Sequence, residues 1–501
     1  MTPAIGPGTG PHTVPVSVRR RVWFRAAAML LSLLPVAGAE LVCRLVGWGA
    51  ADTAVDPFVG FAAVRPLFQK TADGLEYRTA PERLQYFRED RFASVKSDRE
   101  FRVFVFGGST VQGHPFSIET SFPTFLRRIL ETAQPNCDWE VVNCGGVSYA
   151  SYRLLPIVKE CLAYDPDLIV FCSGQNEFLE QVTYGSQRQA APLLGPLWSM
   201  AEHLQSFRAA VQVFQSRRES VAAAQTDTRI LLPEEVHTLL DQDGGLERYH
   251  RDDQRAARVA EHYGSNVRRL VALCQQHHIP LLVIQPPINL SDCPPFKSEF
   301  SAGTSDLQRA EILADLKRAV QLSASDLPAA VQSAERIVRI DPRFALGWYE
   351  LGQLLLSAAR WEEAARVLQR AVDEDVCPLR MTSPLQRILR ETVTATGTEF
   401  LDAQALMSAG CRGGIAGEQR LVDHVHPSFR GHEDLAIAIA EWMQSQGLLQ
   451  SAQIDWQQPG RERCQRVVQE LDSAYFLQGR RRLQVLKNWA AGRATLPDMA
   501  R

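Results

Sequence analysis

The sequence carries no excess of charge of either sign: 54 lysines and arginines face 57 aspartates and glutamates, a net charge of −3 over 501 residues. A chain so balanced offers no global positive field to phosphate backbones, which argues against nucleic acid as its main partner. Cysteine is sparse, ten in all, and no two stand in a CxxC pair. That excludes a disulfide-stapled scaffold and argues against a structural zinc site. Long apolar runs are scarce too; the best candidate, the uncharged stretch Ala26 to Ala39, falls short of the roughly 20 residues a spanning helix wants. Hydrophobic residues at 45% and charged residues at 22% are near globular values, so wholesale disorder is excluded. The length suits about three domain-sized units.

Residues 1–25 read as a disordered, increasingly basic lead that ends in Arg19, Arg20, Arg21 and Arg25. The apolar stretch that follows is bounded by Glu40 and Arg44 and extended by Trp23, Phe24 and Leu41–Cys43. This pattern predicts a signal-anchor over 26–46, or a signal peptide cleaved after Ala39 in Ala37-Gly38-Ala39. A buried amphipathic helix is the third reading. Arginines before an apolar run stay in the cytoplasm, so the first two readings export the rest of the chain. The expected location is membrane-anchored with the N-terminus inside, or secreted after cleavage.

From residue 99 onward the chain alternates between strand and helix. Strands are expected at Phe101–Phe106, Trp139–Asn143, Asp167–Cys172, Pro280–Gln285 and Glu399–Asp402. Helices are expected at 121–133, 152–164, 256–277 and 431–446. Short apolar strands between helices predict an α/β fold, a three-layer doubly wound parallel sheet with its sites beyond the strands' carboxyl ends. The core is expected at 99–302 and 396–446, interrupted by a helix-prone insertion at 178–250 and by an all-α insertion at 303–395. In the latter, Trp348, Leu351, Gly352, Leu355, Ala364, Leu368 and Ala371 follow tetratricopeptide spacing. It joins the core near the strands' carboxyl ends, so it is expected to shape the cleft or to present a protein partner. A helical tail covers 447–501, with Val468–Trp489 in helical spacing and Arg480-Arg481-Arg482 on a solvated face.

The strand ends carry the chemistry. Gly107-Gly108-Ser109-Thr110 puts a serine hydroxyl at a tight strand-to-helix junction, near free backbone N–H groups. Asn176, in Ser173–Phe178, can aim an amide N–H at a developing oxyanion. Asp423 and His426 are three apart, so one turn can point both inward, the carboxylate setting the imidazole's tautomer and the imidazole acting as base toward Ser109. His424 and His426 with Asp423 also have a metal-ligand spacing, but the reading assigns neither metal nor cofactor. Cys144 and Cys172 read as small core residues, whereas Cys293, Cys377 and Cys411 are candidates to pair in an exported domain.

Together these blocks resemble the SGNH (GDSL-like) hydrolase superfamily, in its order and on its elements, over about half of the chain. With Pro294–Glu299 and Asp423–Pro427, the chain further resembles bacterial membrane-anchored SGNH proteins with inserted tetratricopeptide repeats. The resemblance implies Ser109 as nucleophile, His426 as base and Asp423 as its orienting partner. It also implies an oxyanion hole from the Ser109 N–H, Asn176 and a second-block donor. Ser148 aligns with that donor without gaps, and Gly145 and Gly146 lie just before it. Glu177 stands where many members have Asp. The expected activity is ester hydrolysis or acyl transfer, on an ester such as an O-acetyl group of a cell-envelope glycan. The rivals are a lipid-directed esterase or acyltransferase, and an envelope scaffold that binds a protein through its helical repeats around a vestigial core.

Overall fold

The computed structural model describes residues 23, 31, 34–43, 56, 58–61, 63–182, 206, 230–451 and 455–491. Two units divide the chain: residues 1–54 with 186–228, and residues 55–185 with 229–501. In the first, residues 34–43 are helical, and Ser206 donates from its N and Oγ to Glu40 Oε2 at 2.9 and 2.8 Å. Much of the expected 26–46 anchor lies outside the described residues; among those described, no helix is long and apolar enough to cross a membrane.

The second unit begins with short strands. β1 (Val59–Phe61) pairs in parallel with β8 (Ile230–Leu232), and β2 (Phe68–Lys70), β3 (Glu76–Thr79) and β4 (Arg91–Ala93) form an antiparallel sheet. Its centre is a five-stranded parallel sheet of β5 (Glu100–Gly107), β6 (Asp138–Gly145), β7 (Leu168–Cys172), β9 (Leu281–Gln285) and β10 (Glu399–Asp402). The spatial order is β10-β9-β7-β5-β6, so the direction of winding reverses between β5 and β7. In such sheets the crevice beyond the strands' carboxyl ends at the reversal is where ligands bind.

The central strands β5, β7 and β9 are buried on both faces, where their alternating side chains meet helices on either side, while the edge strand β10 is only partly buried. Phe104 and Phe106 of β5 enter one core, Val103 and Val105 the other. The first core takes in α3 (Ser151–Cys161), α4 (Asp253–Gln276) and α9 (Ser383–Thr396); the second takes in α2 (Phe122–Ala133), α10 (Ala403–Ala409) and α11 (Phe429–Ser445). Ser121 caps α2 through Thr124 N, and Asp252 caps α4 through Arg255 N at 2.9 Å.

Residues 303–395 are helical: α5 (Asp306–Leu322), α6 (Leu327–Ile340), α7 (Ala345–Ser357) and α8 (Trp361–Asp373) pack each on the next, whereas α9 packs on α4. A Cβ on Gly352 would lie 2.5 Å from Leu368, so the missing side chain is what lets α7 and α8 approach. Leu351, Leu355 and Leu368 are buried, and they share the first core with the sheet.

The helix-prone reading of 178–250 lies mostly outside the described residues: Ser206 is helical, and the other described parts hold β8, irregular chain and a 3₁₀ turn at Gly245–Arg248. Two expectations are corrected. The tail is two helices, α12 (Gln457–Glu470) and α13 (Ser473–Ala491), broken at Leu471. Its side chains are not simply solvated: Arg482 Nη1 donates to Phe116 O at 2.7 Å. Finally, all ten cysteines are free thiols; Cys293 donates to Pro294 O and Cys411 to Met407 O instead of pairing.

Candidate active site

The short helix α1 (Ser109–Gln112) leaves β5 at Gly107-Gly108. A Cβ on Gly107 would lie 2.2 Å from Cys172 O, and one on Gly108 2.6 Å from Asn176 Nδ2. Glycine at both positions is therefore what lets the start of α1 sit against the end of β7. The first N–H groups of a helix have no partner inside it, so those of Ser109 and Thr110 remain available. The three residues after Ser109 are each tied down. Gln175 Nε2 donates to Thr110 Oγ1 at 3.1 Å, Asn143 Nδ2 to Val111 O at 2.8 Å, and Gln112 Nε2 to Tyr86 O at 2.7 Å.

Across the crevice, the loop before α11 carries Asp423 and His426. His426 Nε2 lies 2.8 Å from Ser109 Oγ, and His426 Nδ1 lies 2.7 Å from Asp423 Oδ2. Asp423 Oδ1 accepts the backbone N–H of Val425 at 3.0 Å and of His426 at 2.9 Å. Burial disfavours the Asp423 carboxylate, but the imidazoles of His426 and His424 and these hydrogen bonds outweigh it and hold the carboxyl well below its usual range. An ionised Asp423 accepts only, so Nδ1 carries the proton and Nε2 faces the Ser109 hydroxyl as acceptor.

Asn176 Nδ2 donates one hydrogen to Tyr149 O at 3.0 Å, which leaves its second N–H beside Gly108. Glu177 accepts from Ser151 N at 2.9 Å and Ser151 Oγ at 2.8 Å, so it ties the Asn176 segment to the start of α3. Burial raises the pKa of this carboxyl.

The second-block donors separate. Gly145 N–H is taken by Asn143 Oδ1 at 2.9 Å and Gly146 N–H by Gly107 O at 3.0 Å, so neither can serve an oxyanion. Ser148, at φ 63°, is the member of this group whose N–H has no acceptor among the described residues.

His424 is turned edge-on to Phe296 with ring centroids 5.1 Å apart, and burial lowers its pKa to about 4. Asp423, His424 and His426 do offer ligand atoms within 4.8 Å of one another. The Asp423 oxygens, however, already serve His426 and two backbone N–H groups. Cys172 is buried, with its thiol pushed up to about 12 by burial, and burial raises Cys144 as well.

Several residues that hold this arrangement carry no sequence signal. Asn289 donates from N to His424 O at 2.9 Å and from Nδ2 to Asp423 O at 3.0 Å. Arg380, between α8 and α9, donates to Asn289 O at 2.9 Å and Cys293 O at 2.7 Å. Tyr349 of α7 donates to Ser291 O at 3.3 Å. The helical insertion thus braces the loop that carries Asp423. His114, after α1, lies with its ring centroid 5.1 Å from that of His426, and burial lowers its pKa to about 3. A cavity of about 450 Å³ between α4 and the insertion, lined by Tyr249, Arg255, Arg343 and Asp375, contains none of these site residues.

No family model matches the chain, and no curated protein matches it. Among solved structures it is similar to an acetylxylan esterase from Geobacillus stearothermophilus, at 13% identity over 70% of this chain and 95% of that one, with a TM-score of 0.29. It is also similar to an α/β hydrolase enzyme from the metagenome of Lake Arreo, at 11% identity over 72% of this chain and 99% of that one, with a TM-score of 0.30.

Proposed function

We propose that the chain is a serine hydrolase of the SGNH type that cleaves an ester through Ser109, His426 and Asp423. The observation that carries this reading is the continuous hydrogen-bonded chain from Ser109 Oγ through His426 to Asp423, at 2.8 and 2.7 Å, beside a turn with free backbone N–H groups. In this mechanism Ser109 Oγ attacks the acyl carbon while His426 Nε2 takes its proton, and Asp423 stabilises the imidazolium that forms. The oxyanion is held by the Ser109 N–H, the second N–H of Asn176 Nδ2 and the Ser148 N–H. His426 then gives its proton to the departing alcohol, leaving an acyl-Ser109 ester. A water, or an acceptor hydroxyl in the transferase variant, gives a proton to His426 as it attacks the acyl carbon, and His426 returns that proton to Ser109 Oγ as the acyl–Oγ bond breaks.

The substrate class we assign is an acyl ester on a glycan, an O-acetyl group foremost, with the chain anchored to a membrane through 26–46 and its catalytic unit exported. The helical insertion, read as tetratricopeptide-like, would then govern access to the cleft it borders. An active-site serine probe should label the native protein and fail on Ser109→Ala. Equal labelling of both would remove the hydrolase reading. A screen of acetylated sugars against short-chain and long-chain lipid esters then separates the glycan reading from the lipid one.

A further inference from the structure

A carboxylate stripped of water is costly unless an opposite charge or several donors meet it. Glu177 is 3% exposed and forms no ion pair among the described residues; what meets it is Ser151, through N at 2.9 Å and Oγ at 2.8 Å. The Ser151 hydroxyl has a single hydrogen, and Glu177 takes it. The other side of that hydroxyl is fixed by Asn266 of α4, whose Nδ2 donates to Ser151 Oγ at 3.0 Å.

Asn266 is itself held. Its Oδ1 accepts from Arg269 Nη1 at 3.2 Å, one turn along the helix. A guanidinium only donates, so the amide has one orientation, with Oδ1 toward Arg269 and Nδ2 toward Ser151. Arg269 Nη1 also donates to Asp56 Oδ2 at 2.9 Å, and His262 Nε2 lies 3.2 Å from the same oxygen. Asp56 Oδ1 accepts the N–H groups of Phe58 and Val59, at 2.8 and 3.1 Å, where β1 begins. Ser151, Asn266, Arg269, Asp56 and His262 are all buried, none more than 8% exposed. The donors run one way, from Arg269 to Asn266, from Asn266 to Ser151 and from Ser151 to Glu177. Such a chain polarises toward its anionic end, each bond strengthening the next.

The chain ends at the candidate oxyanion hole. Asn176 adjoins Glu177, and Asn176 Nδ2 donates to Tyr149 O, two residues before Ser151. The start of α3 therefore holds Asn176 by one bond and Glu177 by two, and Asn266 fastens that start to α4. We propose that Asn266 is a positioning residue for the oxyanion hole, aiming the free N–H of Asn176 through Ser151 and Glu177. Arg269 and Asp56 fix its own orientation. This role rests on the serine-hydrolase reading. Asn266 makes no hydrogen bond to Ser109, His426 or Asn176 among the described residues, so its effect passes through the segment it holds.

The test follows hydrolysis of p-nitrophenyl acetate. A displaced donor cannot cost more than a missing one, so the loss is bounded by the roughly 10²–10³ of a deleted oxyanion donor. Asn266→Ala should lower kcat about 10-fold with KM within about a factor of two, because the donor acts on the transition state. Ser151→Ala breaks the same chain one link nearer the site and should show the same split. The two together should lose little more than either alone. In the Asn176→Ala background, Asn266→Ala should cost less than about twofold, since the group it positions is gone. A role limited to packing would lower the melting temperature and leave kcat at the native value, or would lower kcat by the same factor with and without Asn176. Either outcome would overturn the proposal. Should Asn266→Ala fail to fold, Asn266→Asp, of the same size but with an acceptor where Nδ2 stood, decides by the same criteria. A native protein that turns over no ester and takes no serine probe would discard the hydrolase and this role together. Native turnover untouched by the Asn266 substitution would discard the role alone.

Discussion

The geometry makes strong demands of single side chains. Asn176 contributes one N–H to the candidate oxyanion hole while its other is spent on Tyr149 O. Asn176→Ala is therefore expected to lower kcat by about 10²–10³ with little change in KM, the usual cost of one lost donor. A kcat within a factor of two of native would take Asn176 out of the oxyanion hole. His432 makes a different prediction. It is buried, its Nδ1 accepts from Phe122 N at 3.2 Å, and burial, with His426 nearby, lowers its pKa to about 3 from the ordinary 6.5. Between these two values the unfolded chain binds a proton that the folded one refuses, so this group destabilises the fold as pH falls. Asp375, pushed up to about 6 by burial, acts with the opposite sign, so the bulk pH curve mixes the two. His432→Gln isolates the first contribution. Its melting temperature should drop less than the native one between pH 7 and pH 5, and identical drops would show that His432 is not held neutral.

At the level of elements, the helical insertion is part of the core that carries the sheet. Leu355 of α7 shares an apolar cluster with Phe106 of β5 and Leu385 of α9. Leu355→Ala is expected to cost about 2–5 kcal/mol, as large-to-small changes in a packed core do. It should also lower the single melting transition of the whole unit. A separate early transition, with serine-probe labelling left at the native temperature, would show that the insertion folds on its own. The insertion also reaches the site through Arg380, Asn289 and the Asp423 carbonyl. Asn289→Ala frees that loop, and a misplacement of about 1 Å at a base costs up to about 10²-fold. The expected loss is in kcat, accompanied by weaker serine-probe labelling. Unchanged labelling and kcat would mean that the loop holds itself. The elements themselves were readable because their signals are local: the short apolar run of β5, the helical spacing of α2, turn residues at strand ends. The sheet of β2, β3 and β4 was not readable, since its strands are three or four residues long and take their order from their neighbours.

For the whole molecule, the ten thiols give a direct check on compartment and chemistry. Eight are buried and all are free. The denatured protein should titrate ten thiols whether or not it is first reduced, and reductant should leave the melting temperature unchanged. Fewer thiols in the unreduced sample would reinstate a bridge such as one from Cys293. The balanced net charge leaves the chain without a global positive field.

By itself the sequence determined the α/β class, since strand alternation, helix periodicity and turn chemistry are written in adjacent residues. It also determined which residue types stand at the strand ends. It could not decide which N–H groups stay free: Gly145, Gly146 and Ser148 have equivalent backbones, and only pairing with Asn143 and Gly107 removes the first two. Nor could it name His114, Asn289 or Arg380, which carry no motif and matter through their neighbours. Ser109 and His426 stand 317 positions apart, and what puts them 2.8 Å from each other is the winding of the sheet. Local preferences act over a few bonds, whereas partners across the crevice are chosen by the topology that brings remote segments together.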